Sequence, residues 1–496
     1  MTMQSSRRDF FKWVGGTLAV ATTGDAMRAH ASPPLSASDD PGLHLLNRLS
    51  YGVLPEEVAR LNQIGLEAYL EEQLAPDTLA DPAVDDLMWT LPILSLDRKA
   101  IHTLGFDGRV YNSVIQGMTL RAVLSRRQLY ERMVEFWTDH FNIPASDDLV
   151  HDLAIMHRDV IRKHALGNFR NLVMGTAQSP VMLYYLDQTY SEKDHPNENY
   201  ARELLELHTL GVDGGYTEQD VKEAARALTG WRVNDATETG FYFDPSIHDT
   251  DAKTFLGHTM PAGRGIEDGL HLLSIVVNHP ETARFLCKKL CIRFVSDAAP
   301  ESLIESATQV WSDNDGDIVP VLRHIFLSAE FMQSVGQKFR RPLDFFVGAM
   351  RVTNTRIQNL WTMFELLNDL AQIPYDWAPP DGYPDVARAW LGSSGLLARW
   401  NVAMTLTHSA YSDPDAEMTN RLDLFIGTPA TVGILVDEVA MRVFGTSVLP
   451  EADYATFIDF TSDGAGESAP VTPKLIANKL GTLFGLMLAS PLYQWR

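Results

Sequence analysis

The sequence predicts a mainly α protein: a large multi-helix orthogonal domain with an irregular, short-strand insertion near 231–260. Three observations lead there. Apolar residues recur at spacings of three and four along most of the chain, the signature of amphipathic helices. Helix start and stop signals flank those runs. The helical spacing lapses between Trp231 and Met260, where Gly240-Phe-Tyr-Phe reads as a short strand or extended arm.

Taken in order, a polar, Pro/Ser-rich linker (32–41) precedes helical patterns at 55–74, 112–142, 149–164, 168–186, 197–210 and 217–230. Thr217 and Asp220 supply an N-cap and its N3 partner, and Gly211 suits the stop of the preceding helix. Helices resume at 265–278, 280–295, 300–312, 317–328, 341–371 and 385–408, then at 430–444, 450–460 and 473–489. Phe326-Leu-Ser-Ala-Glu-Phe-Met-Gln333 and Met487-Leu-Ala-Ser-Pro-Leu-Tyr-Gln494 end two helices alike, but two copies without a fixed period make no solenoid. Residues 42–496 read as one helical domain, or as two packed halves split near 260.

The amino terminus carries an address. Ser6-Arg-Arg-Asp-Phe-Phe-Lys12 resembles a twin-arginine export signal, with Arg7 and Arg8 as its pair. The apolar stretch Trp13–Ala21 follows, and Ala29-His30-Ala31 offers a small-residue cleavage site before Ser32. That stretch is shorter than the ~20 residues that span a bilayer. Residues 1–31 are thus expected to be a signal peptide read by the twin-arginine translocase, delivering a folded protein to the periplasm or beyond. No later segment holds 18 uninterrupted apolar residues, so no stable membrane insertion is expected.

Of 496 residues, 45% are hydrophobic and 21% charged, an ordinary globular composition. The formal net charge is -23, and loss of the signal would leave the rest more acidic still. Such a balance argues against nucleic acid and anionic membrane surfaces as partners. The two cysteines, Cys287 and Cys291, fall one helical turn apart and read as packed core thiols. CxxC, Walker and strand-linked GxGxxG patterns are missing.

Histidines occupy positions where the 3.6-residue period demands core side chains. His140 shares a stripe with Met133, Phe136, Trp137 and Phe141, and His157 and His164 share another with Val150, Leu153, Ala154 and Ile161. His208 lies near the centre of the apolar face of 197–210, with Asn197 at almost the same angle. A buried imidazole needs a hydrogen bond, a charge or a metal. These histidines are therefore either satisfied core residues or the walls of a shared polar pocket. Glu203 lies at the boundary of the two faces and is a candidate general acid or base. Glu198, Arg202 and Glu206 form an i,i+4 ladder that also reads as a solvated ion-paired face. Neither Glu-x-x-His nor His-Glu-x-x-His is present there, so a metal ion is possible but its ligands are unknown.

Two loops add candidates. Asp244, His248, Asp249 and Asp251 could bind a cation or act as acid and base, or could form a capped polar turn. Tyr375-Asp-Trp377-Ala-Pro-Pro-Asp381-Gly-Tyr383-Pro-Asp385 mixes rings with carboxylates, which suits a neutral polar ligand such as a sugar or a Pro-rich helix connection. Asp313-Asn-Asp-Gly-Asp317 hints at calcium, but its glycine falls too early for an EF-hand, and a helix N-terminal turn fits it. The candidate catalytic set is Glu203, His208, His140 and Asp249. The candidate binding set is Asn197, Arg202, His164, His248, Lys253, Trp377, Asp381 and Tyr383.

These stretches resemble the bacterial domain-of-unknown-function family numbered 1800. They include His44-Leu-Leu-Asn-Arg48, Phe136-Trp-Thr-Asp-His-Phe-Asn142 and Val160-Ile-Arg-Lys-His-Ala-Leu-Gly-Asn-Phe169. The most specific is Asn197-Glu-Asn-Tyr-Ala-Arg-Glu-Leu-Leu-Glu-Leu-His-Thr-Leu-Gly211, followed by Tyr216-Thr, Leu228-Thr-Gly-Trp231, Phe243-Asp-Pro, His248-Asp249, Lys253-Thr-Phe-Leu-Gly257 and Pro380-Asp-Gly-Tyr-Pro384. The resemblance covers about 42–495; Lys163 stands where the family usually has proline. It implies a mostly helical exported protein, often encoded beside sulfatase-like members of the family numbered 1501, and no established reaction. Three readings follow. One is an acid–base or metal-assisted hydrolase of a glycan-like polar substrate, its pocket built from His140, His164, Glu203, His208 and the His248-Asp249 loop. A second is a haem- or metal-bearing redox protein. The third is a non-enzymatic helical partner of a neighbouring exported sulfatase-like protein.

Overall fold

The computed structural model describes residues 40–496 apart from 106–107, 147, 235–236 and 409–416. The export signal and nearly all of the linker lie outside the described residues. Helices dominate, and three two-stranded antiparallel ribbons are the strands present among the described residues. A single contiguous apolar core runs from Leu43 to Tyr493. Residues far apart in sequence thus meet at its centre.

Most expected helices form, with breaks where local chemistry forces them. The 55–74 run divides at Gly65, whose φ of 85° no helix accepts, into Pro55–Ile64 and Leu66–Leu74. The 112–142 run divides at 125–127 into Arg109–Leu124 and Gln128–His140, where Ser125 Oγ bonds Asp81 instead of continuing the helix. The 341–371 run ends its first helix, Pro342–Thr353, at Asn354 in the left-handed region, and a second starts at Leu360. Helix Ser393–Thr407 begins eight residues later than the 385–408 pattern suggests, because 385–392 belong to a loop that closes the site described below. Helix Pro82–Thr90 has no counterpart in the expected set.

The insertion holds two hairpins. Trp231–Val233 pairs with Phe241–Phe243, and Lys253–Phe255 pairs with His258–Met260. Thr217 and Asp220 form the anticipated capping box on helix Glu218–Ala227. Asp317 caps helix Ile318–Leu327 by accepting from the Val319 amide at 3.3 Å, so the acidic run there is a helix start. The two echoing segments share one device: a serine, Ser328 or Ser490, ends a helix and opens a four-residue helix, Ala329–Met332 or Pro491–Gln494.

Helix Ser393–Thr407 lies against helix Pro473–Ala489 closely enough that a Cβ at Gly481 would stand 2.7 Å from the Thr407 carbonyl. Buried arginines seal helix ends that the core would otherwise leave with bare carbonyls. Arg48 donates to the Phe294 and Val295 carbonyls at 3.0 and 2.7 Å, closing the end of helix Pro280–Phe294. Cys287 and Cys291 are free thiols buried in that same helix.

Candidate active site

Two helices and one loop enclose a cavity of about 300 Å³. Helix Gln128–His140 contributes Phe136, Asp139 and His140, and helix Pro280–Phe294 contributes Lys289, Ile292 and Arg293. Arg341, at the N-cap of helix Pro342–Thr353, joins them. The remaining wall is Trp377 with residues 381–386, from Asp381 to Val386.

The loop is held by the helices it covers. Asn142 Nδ2 donates to the Trp377 and Pro379 carbonyls, both at 2.7 Å, and Tyr185 donates its hydroxyl proton to the Ala378 carbonyl at 2.8 Å. Gly382 adopts φ +73° and lies so close to the Asp139 carbonyl that any Cβ would overlap it. Trp377 donates to Asp381 at 2.8 Å and its ring lies 5.0 Å from that of Tyr383. The result is an aromatic wall with a carboxylate at its edge.

Behind the cavity lies a buried ion network. Glu135 accepts from Arg293 at 2.5 Å, from Arg341, and from the Tyr51 hydroxyl at 2.8 Å. Arg341 reaches Asp139 at 2.6 Å, and Arg293 reaches Asp385 at 3.2 Å. Lys338 joins Asp385 to Asp297, at 3.2 and 2.9 Å. On the far side Asp344 pairs with Arg132 and Arg496, at 3.0 and 2.5 Å. Arginine suits these positions because its planar fork satisfies two acceptors at once.

Against that background of cations paired with carboxylates, Lys289 stands apart. Its Nζ donates to His140 Nδ1 at 2.9 Å, while His140 Nε2 donates to the His208 carbonyl at 3.0 Å. These two bonds fix the neutral tautomer of His140 with the proton on Nε2. Burial pushes Lys289 down to about 8, with Asp139, Asp385 and Asp381 pulling the other way. Burial raises Asp139 to about 6, Glu135 adding to the rise and Arg341 opposing it. Asp385 goes the opposite way: burial alone would lift it, but Lys338, Arg293 and Arg341 hold it well below the usual carboxylate range. His140 and His208 are held neutral by burial and by the Lys289 charge, with His208 lowered to about 3.

Of the sequence-derived candidates, His140, Trp377, Asp381 and Tyr383 line the cavity. His208 touches it indirectly. Its ring centroid is 6.1 Å from that of His140, and its carbonyl holds the His140 ring. Glu203 is half-buried outside the lining; burial raises its carboxyl, and the charges of Glu206 and Asp381 raise it further. The remaining candidates do not join the cavity lining. His164 is half-buried on a neighbouring helical turn. Asn197 caps its own helix, accepting from the Asn199 amide at 2.8 Å. Arg202 is occupied by Glu218 at 2.8 Å and flanked by Glu198 and Glu206.

The 244–253 loop is a knot of its own. Asp249 pairs with Arg226 at 2.7 Å, and Lys253 pairs with Asp268 at 2.8 Å. His248 Nδ1 donates to the Thr229 carbonyl at 2.8 Å. A single pocket joining His140, His164, Glu203, His208 and the His248-Asp249 loop is therefore not what the fold builds. Stripe position identifies burial: His140 is held by Lys289 and the His208 carbonyl, His248 by the Thr229 carbonyl, and the buried His208 Nε2 has no hydrogen-bond partner among the described residues. Among the described residues, no group of three or more His, Cys, Asp or Glu side chains is arranged to hold a metal ion.

Asp139, Lys289, Arg293 and Arg341 are the residues that sequence reasoning passed over. Asp139 and Glu135 are one turn apart on the helix that carries the Met133, Phe136 and Trp137 stripe, a signal that was available. Lys289 beside Lys288 looks like any exposed cationic pair.

No curated protein and no solved structure matches the chain. The profile of the family described as protein of unknown function (DUF1800) matches residues 44–495, the span that builds this core and cavity. On that match the chain belongs to the DUF1800 family.

Proposed function

We propose that this chain is an exported enzyme that uses the cavity for acid–base chemistry, with hydrolysis of a hydroxyl-rich, glycan-like substrate as its reaction class. One observation carries the reading: Asp139 and Lys289 border the same small cavity and are pulled towards neutrality from opposite sides. Between those two values Asp139 is ionised and can accept a proton from attacking water, while Lys289 is protonated and can donate one to the leaving oxygen. Arg341 steadies the Asp139 carboxylate, and His140 steadies the Lys289 ammonium. Trp377 and Tyr383 offer ring faces to the apolar side of a sugar, and Asp381 offers an acceptor to its hydroxyls.

The test is release of reducing ends from a panel of neutral polysaccharides. Asp139→Asn is expected to lower the rate by about 10²-fold or more, the usual weight of a positioned general base. Undiminished hydrolysis by that variant would refute the assignment. Export rests on the Arg7-Arg8 pattern. Arg7→Lys with Arg8→Lys is expected to leave the precursor in the cytoplasm, and unchanged secretion would remove the localisation from the proposal.

A further inference from the structure

Among the described residues four lysines are at least partly withdrawn from solvent, and three of them are conventionally paired, Lys479 with Asp463 at 2.6 Å among them. Lys253 meets Asp268 at 2.8 Å, and Lys338 meets Asp297 at 2.9 Å. Lys289 faces the cavity and, among the described residues, its Nζ makes no ion pair within the distance those three show. Its bonded neighbour is the acceptor nitrogen of a neutral imidazole. The charged groups around it are Asp139, Asp381 and Asp385, which act on it through space, and Arg293 and Arg341, which are engaged by carboxylates of the network. A cation stored for structure would be expected to have a carboxylate partner. An amine that has to give up its proton benefits from not having one.

From this arrangement we infer that the Lys289 amine forms an imine with the aldehyde carbon of a small polyhydroxylated compound lodged against Trp377 and Tyr383. The inference rests on the reading of this cavity as the active site, and extends it by naming a covalent step. Glycoside hydrolysis itself liberates a reducing end whose open-chain form carries such an aldehyde. The step is balanced without redox chemistry. Lys289 releases a proton to water, and its lone pair attacks the carbonyl carbon. The π electrons pass to oxygen, which takes one proton from the attacking nitrogen and a second from the hydronium just formed, and it departs as water while the nitrogen lone pair forms the second C–N bond. In the iminium state one N–H remains, and it can keep the bond to His140 Nδ1 that the ammonium makes now. The cavity, at about 300 Å³, accommodates a compound of a few carbons. The lowered proton affinity of Lys289 supplies free amine near pH 8, where an exposed lysine is almost wholly protonated.

The full chain is incubated near pH 8 with glyceraldehyde and sodium borohydride, which delivers hydride to any imine carbon and makes the link permanent. Mass mapping of a peptide containing both Lys288 and Lys289 then scores the two side by side. Lys288 is exposed and serves as a control in the same wild-type molecule, so no variant has to fold. The adduct is expected on Lys289 at roughly tenfold or more the level on Lys288. Equal modification of the two, or preference for Lys288, overturns the inference. If Asp139→Asn abolishes hydrolysis while Lys289 remains unmodified, the imine alone falls. If that variant hydrolyses normally, the reading beneath it falls as well.

Discussion

An ammonium and a carboxylate in one cavity shift in opposite directions because burial penalises the charged form of each. For Lys289 the penalty favours the neutral amine, and for Asp139 it favours the protonated acid. The working pair, ionised Asp139 and protonated Lys289, is most populated midway between the two values. The rate should therefore peak at about pH 7 and fall to about half at about pH 6, as Asp139 takes up a proton, and at about pH 8, as Lys289 loses one. A pH–rate profile measured from pH 5 to 9 checks this, and a profile rising steadily to pH 9 would contradict it. Gly382 sets the gap between loop and helix. Gly382→Ala meets both an unfavourable φ and the Asp139 carbonyl. It should lower the unfolding free energy by more than about 1 kcal/mol and depress activity together with it. Thermal unfolding of the variant measures the first effect. At this scale the sequence exposed the residues whose type stands out within its own segment. His140 and His208 showed through the apolar stripe, and Trp377, Asp381 and Tyr383 through the composition of their loop. Lys289 stayed hidden because its setting is made by residues some 150 positions away, such as His140.

Helices and their ends set the next level of constraint. Helix Gln128–His140 carries Glu135 and Asp139 one turn apart, which places one carboxylate on Arg293 and Arg341 and the other on Arg341 at the cavity. Glu135→Gln removes the charge that holds two buried guanidiniums, so it should cost about 3–5 kcal/mol in urea unfolding, the range for breaking a buried pair from one side. A loss below 1 kcal/mol would mean that the network is redundant there. Two helices also depart from the α period. Glu198–Glu203 passes into a π-helical stretch, Leu204–His208, and Val150–Met156 passes into another, His157–Arg162. An advance of 100° per residue no longer holds through such turns, so the angular positions assigned to His208 and His164 from sequence drift from those the backbone takes. Gly211 was nonetheless legible as a stop: it has φ 82°, and its amide donates to the Leu205 carbonyl at 3.0 Å. The break at Asn354 was not, because asparagine carries no fixed instruction to leave a helix.

For the whole molecule, neutral buried histidines make stability depend on pH above the carboxylate range. His44 and His208 are lowered to about 3, and His140 and His157 well below their ordinary value, in every case chiefly by burial. Each imidazole binds a proton in the unfolded chain below about pH 6.5 and refuses it in the folded one, so stability falls as pH drops through that point. Each such group contributes up to ~1.4 kcal/mol per pH unit. Asp139 opposes this in part, since its raised value lets the folded state bind a proton first. Urea midpoints should decline from about pH 7 to about pH 5, and a flat response would mean that the imidazoles are protonated in place.

The proposed chemistry requires Lys289 to share its cavity with Asp139 as a working acid rather than as an ordinary surface ammonium. Titration of protein labelled with ¹³C at the lysine ε-carbons reads this directly, Lys289 being assigned by its loss in Lys289→Arg. One resonance titrating near 8 and disappearing in that variant is the predicted result. A Lys289 signal that moves with the other lysines around 10.5 would contradict the account.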